Sequence, residues 1–123
     1  GTGVGTVPGK QDYSVGTEAG GEVIVGGLTA EQIERVVRSH NSEVVFCYQR
    51  ALTTDPSVFG KISFRWEIAA SGAVTSVRVL ENTTRNKALE DCVLDKIRTW
   101  RFPSNPVQST RVDWPFIFKP RGN

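Results

Sequence analysis

Cys47 and Cys92 are the only cysteines of the chain and His40 is its only histidine, so nucleophilic thiol, redox or soft-metal chemistry would have to pass through these three residues. A cysteine becomes a catalytic nucleophile when a histidine lies within hydrogen-bond reach of its sulfur. His40 and Cys47 fall on one side of a helical pattern, but seven helical residues put them roughly 10 Å apart along the axis. A structural zinc site takes four ligands, and three residues without close spacing do not supply it. In a reducing compartment the two cysteines pack as small buried hydrophobes. In an oxidising one they close a disulfide around a loop of about 45 residues, worth on the order of 4 kcal/mol in the chain-entropy account. Compartment and spacing together favour the disulfide over free thiols or catalysis.

No Ser-His-Asp order, close carboxylate pair or metal cluster emerges elsewhere, so no cofactor and no metal are expected. GTGVGT at the start has the glycines of a phosphate-binding loop, but no Gly-Lys-Ser/Thr ending and no preceding buried strand. A lone histidine on an apolar stripe is more often a satisfied core residue than a ligand. Trp66, Trp100 and Trp114 read as core by their periodicities.

The elements that position these residues follow from the hydrophobic pattern. Residues 1–27 are rich in Gly, Thr, Val and Ser without helical period, which reads as a flexible tether, with Glu22 to Val25 open to forming a short edge strand. At Thr29 a capping box with Gln32 and a staple between Leu28 and Ile33 start a helix. Ile33, Val36, Val37, His40, Val44, Cys47, Tyr48 and Ala51 share one face, carrying the helix to about Leu52. Pro56 and Gly60 stop it.

Ile62, Phe64, Trp66 and Ile68 then alternate with polar residues as a strand, Ser71-Gly72 turns, and Val74 to Leu80 returns antiparallel. Asn86 caps a second helix with Leu89, Cys92, Val93, Ile97 and Trp100 on one face, ended by Pro103 and Pro106. Val112, Trp114, Phe116 and Phe118 alternate in a last strand, where Pro115 suggests a sheet edge because it cannot donate to a ladder. The expected fold is α+β in the order α-β-β-α-β: a three-stranded antiparallel sheet of order 2-1-3 with two helices on one face. Its domain runs over residues 28–120, with a tail at 121–123.

A chain of 123 residues has room for one such domain. Its 38% apolar content is unlike that of disordered chains. The longest apolar runs, such as Val44 to Cys47, fall far short of the roughly 20 residues that span a bilayer. No basic start followed by an apolar stretch marks a signal peptide, so any export signal is expected upstream of this sequence or not at all. Net charge is +2. Lys10 against Asp12, Glu18 and Glu22 leaves the first 27 residues at −2, so the rest carries +4, too little and too dispersed for nucleic acid.

The runs GGLTAEQIERVVRSHNSEVVFCYQRAL, GKISFRWEIAASGAVTSVRV and LEDCVLDKIRTWRFP resemble the AgmX/PglI C-terminal domain, a branch of the TonB C-terminal-like fold. The likeness covers about Gly26 to Pro120. It rests on His40, Cys47-Tyr48, Gly60, Gly72-Ala73-Val74, Cys92 and Trp100-Arg101-Phe102-Pro103. The resemblance implies a periplasmic domain of an inner-membrane protein, held on a flexible tether and working in gliding-motility machinery of the Agl-Glt kind. TonB-like domains link an inner-membrane motor to an outer-membrane β-barrel or lipoprotein. The ordinary TonB domain lacks this cysteine pair, which places the match nearer the gliding branch.

TonB-like domains commonly take a partner peptide as an added strand, and an edge strand presents the unpaired N–H and C=O groups for it. The last strand is the expected docking edge: Arg111, Val112, Asp113, Trp114, Pro115, Phe116, Ile117 and Phe118. Lys61, Arg65, Arg78 and Arg111 project to the wet sheet face as a sparse basic stripe, either a plain solvated face or one that attracts an acidic partner or peptidoglycan carboxylates. The expected function is non-catalytic protein binding, with the motor reached through sequence preceding this chain. A peptidoglycan-binding domain and a small hydrolase using His40 are the rivals. Pairing of exposed edges into a homodimer stays open. A 27-residue tether spans about 26 to 31 Å as a flexible coil, so further linker is expected before Gly1.

Overall fold

The computed structural model describes residues 13–18 and 20–120. Eight elements follow in order: β1 (Tyr13–Thr17), β2 (Val23–Gly26), α1 (Ala30–Ser39), α2 (Asn41–Thr54), β3 (Gly60–Ile68), β4 (Val74–Asn82), α3 (Lys87–Ile97) and β5 (Thr110–Pro120). The expected three-stranded sheet with two helices is therefore corrected to a five-stranded antiparallel sheet with three helices.

Two local causes explain the difference. The single helix expected to reach Leu52 breaks at His40, whose backbone (φ −105, ψ 9) leaves the helical well and serves as C-cap of α1 and N-cap of α2. The start of α1 is the capping box: Thr29 Oγ1 accepts from the Gln32 N–H, and Gln32 Oε1 accepts from the Thr29 N–H. The second cause lies at the start of the chain, where part of the expected tether is sheet. From Tyr13 to Gly26 it contributes two strands; the first twelve residues of that tether and the tail at 121–123 lie outside the described residues.

The strand order is β1-β5-β3-β4, and β2 pairs with the same side of β5 as a second segment. β1 covers Phe116 to Pro120 and β2 covers Thr110 to Asp113. The gap falls at Trp114 and Pro115. The Thr17 hydroxyl donates to the Pro115 carbonyl at 2.8 Å, so Pro115 turns its backbone polar side towards β1 and β2. Its missing N–H thus lies where one continuous edge strand would need a donor, and the chain leaves the ladder there. Gly21 sits over the proline ring, where a Cβ would come within 2.9 Å of Pro115 Cγ.

One sheet face buries Ile62, Phe64, Trp66, Ile68, Val112, Trp114, Phe116 and Phe118 against Val44, Tyr48, Leu89, Val93, Ile97 and Trp100 from the helical side. Tyr48 satisfies its hydroxyl by donating to the Val58 carbonyl at 2.7 Å. α2 and α3 are joined by the Cys47–Cys92 disulfide, with 5.7 Å between the Cα atoms.

Candidate functional site

β5 is paired on both sides: with β3 from Gly60↔Phe118 to Ile68↔Thr110, and with β1 and β2 on the other. The expectation that Arg111, Val112, Asp113, Trp114, Pro115, Phe116, Ile117 and Phe118 form an open docking edge is therefore corrected. Proline is confined to sites where no ladder donor is needed, and here that site is a break between two partner segments inside the sheet.

The open edge is β4. It pairs with β3 from Ile62↔Asn82 to Ile68↔Val74, and no strand flanks its other side among the described residues. Its entry is held by an antiparallel bridge between Ala73 and Arg101 and by the Phe102 N–H donating to the Gly72 carbonyl at 2.9 Å, and its last residue, Asn82, donates through Nδ2 to Glu90 Oε1 on α3 at 2.9 Å. Two irregularities, between Ser63 and Phe64 and between Glu67 and Ile68, set the pairing with β3. Leu80, beside the first, is 41% exposed. Val74, Val77 and Val79 face the helices and pack, partly buried, against the core, as does Leu94 on α3.

The other sheet face carries Lys61, Ser63, Arg65 and Glu67 from β3, none of them buried. The basic stripe expected here is only partly unpaired. Lys61 lies 3.3 Å from Glu18 and 3.2 Å from Glu81, which hold its ammonium above the usual range, Glu81 most strongly. Arg65 donates in a fork to both oxygens of Asp113, at 2.7 and 2.8 Å. That fork is the main reason the Asp113 carboxyl stands below its ordinary value, against the pull of burial. Among the described residues Arg78 and Arg111 enter no ion pair, and the buried Nε of Arg111 has no acceptor.

The cysteines meet as a disulfide, so Cys47 has no thiolate to offer His40. His40 instead stacks on Trp100, ring centroids 4.9 Å apart, and its Nδ1 is 2.8 Å from Glu43. Trp100 Nε1 donates to the other Glu43 oxygen at 3.0 Å. Burial pushes the Glu43 carboxyl up, but the bonds from Trp100 and His40 bring it below its ordinary value. This closed set of contacts ties the α1–α2 break to the end of α3. The polar run Ser39-His40-Asn41-Ser42-Glu43 was the signal for that break: helix-capping residues followed by a first-turn acid.

Compared with protein families, curated proteins and solved structures, the chain matches none of them.

Proposed function

We propose that this chain is a non-catalytic interaction module of the cell envelope, the periplasmic head of an inner-membrane-anchored, TonB-like protein of the gliding-motility kind. In this reading it couples an inner-membrane motor to outer-membrane proteins by accepting a partner segment as an added strand. The open edge of β4 carries the proposal. A strand with one unpaired side, an apolar flank on the helix side and an arginine on the other offers both main-chain bonds and side-chain selection. The disulfide supports an oxidising compartment. The docking edge is thus moved from β5 to β4.

Photo-crosslinking in the full-length protein, within its own envelope, tests this. A crosslinking side chain at Thr75 or Leu80 on the β4 edge is expected to capture an outer-membrane protein, and the same group at Thr53 on α2 is not. Absence of edge crosslinks, together with cosedimentation of the chain with purified cell-wall sacculi, would replace this reading with the peptidoglycan-binding alternative.

A further inference from the structure

We infer that the strand accepted by β4 is acidic and that one of its carboxylates settles among Arg65, Arg78 and Arg111; the inference rests on the strand-addition reading above. Two cross-strand rows make the floor of this site. Ser76, Glu67 and Arg111 lie in register across β4, β3 and β5, and beside them run Arg78, Arg65 and Asp113. Ser76, Glu67, Arg65, Arg78 and Arg111 line one depression of about 290 Å³ on the open sheet face.

The charges of this patch do not balance. Asp113 takes up Arg65. Three arginines, Arg65, Arg78 and Arg111, thus share two carboxylates, Asp113 and Glu67, and Arg78, Arg111 and Glu67 are engaged in no ion pair among the described residues. Arg78 also stands directly opposite Arg65, a like-charge pairing that disfavours the folded sheet and that Asp113 offsets through its fork to Arg65. One further carboxylate brings the patch to neutrality.

The approach lies on the open side. Ser76 is the smallest side chain of its row and stands on β4 itself, so a side chain from a strand beside β4 can pass over it. Two strand spacings, about 10 Å, separate such a strand from the Glu67 position. A glutamate reaching inward and the long Arg78 side chain reaching alongside meet within that span. On the opposite side of the same incoming strand, Val74, Val77 and Val79 call for apolar residues. The partner segment therefore alternates apolar residues with polar ones, at least one of them acidic.

Two capped hexapeptides test this on the isotope-labelled 123-residue chain: Thr-Val-Glu-Val-Thr-Val and its counterpart with glutamine for glutamate. Both are expected to shift the β4 amides, with the glutamate peptide binding about fivefold tighter at low salt. That advantage should shrink with added salt and disappear in Arg78→Gln and Arg111→Gln, but persist in Arg35→Gln on α1. Arg78 is exposed, so Arg78→Gln keeps the test decisive if Arg111→Gln fails to fold. Equal affinity of the two peptides overturns the inference and leaves strand addition standing. If neither peptide moves the β4 amides, strand addition at this edge falls and the inference with it. A cell-wall disaccharide peptide that alone shifts the Arg78 and Arg111 side-chain signals assigns the patch to the wall instead.

Discussion

Opening the Cys47–Cys92 bridge isolates the largest single restraint on this chain. The bridge joins residues 45 apart in sequence, and closing a loop of that length removes about 4 kcal/mol of denatured-state entropy. The seam it crosses is also packed: Val44, Cys47, Tyr48 and Ala51 on α2 and Leu89 and Val93 on α3 are buried. That packing survives reduction, so the reduced chain should remain folded with much of the roughly 5–15 kcal/mol typical of a domain removed. Urea unfolding with and without reductant reads the difference. With a slope near 2 kcal/mol per M, the midpoint should fall by about 2 M, and the slope should rise because an uncrosslinked denatured chain exposes more surface. Cys47→Ala/Cys92→Ala should reproduce the reduced protein. A midpoint shift below about 0.5 M, or loss of dispersed sheet amides without any urea, would refute the view that the bridge acts mainly on the unfolded chain.

Three further outcomes follow from the geometry. Asp113 and Glu43 have folded pKa values below their ordinary ones, so their stabilisation is complete above about pH 5 and is lost as pH falls through those lower values; Asp113→Asn should flatten the acid limb of the stability curve, and an unchanged limb counts against the Arg65 fork. Gly60 has φ +136 and a Cβ there would lie 2.6 Å from Thr83 Oγ1, so Gly60→Ala should cost about 1–2 kcal/mol by chemical denaturation, with little change if the loop can yield. Removing residues 1–21 strips β1 from β5 and breaks the Tyr13–Tyr48 edge-to-face contact at 5.8 Å. The shortened chain should lose stability and self-associate through the bared strand, visible as a concentration-dependent mass by sedimentation. A stable monomer would argue that β1 contributes little.

The elements with strong periodicity are legible in the sequence alone. Ile62 to Ile68 alternates because one side of β3 is buried, and Thr29 with Gln32 writes the start of α1 in its capping groups. The bridge between Cys47 and Cys92 was readable because both lie on inward stripes of different helices. The short edge strand open at Glu22 to Val25 is present as β2, shifted by one residue, whereas β1 escapes the sequence reading: both lie over a sheet edge and are mostly exposed, so their composition is that of a linker. Tyr13 and Val15 did carry a period of two, but glycine between Val15 and Thr17 diluted it. The open sheet edge falls on β4 rather than on the last strand for a related reason. Pro115 excludes a ladder donor at one backbone position, and a short gap between two partner segments satisfies that exclusion as well as an open edge does.

That gap gives the molecule a graded response to load. Tension entering through the chain ahead of Tyr13 meets the five register pairs of β1 first, while the four pairs of β2 and the buried Leu28 lie behind the interruption at Pro115. Peeling the first segment up to Glu22 pays out roughly 30 Å of slack at about 3.3 Å per residue, with the core, the cross-linked helices and the β4 edge left intact. A pull at the N-terminal end would therefore be softened before it could unfold the open β4 edge.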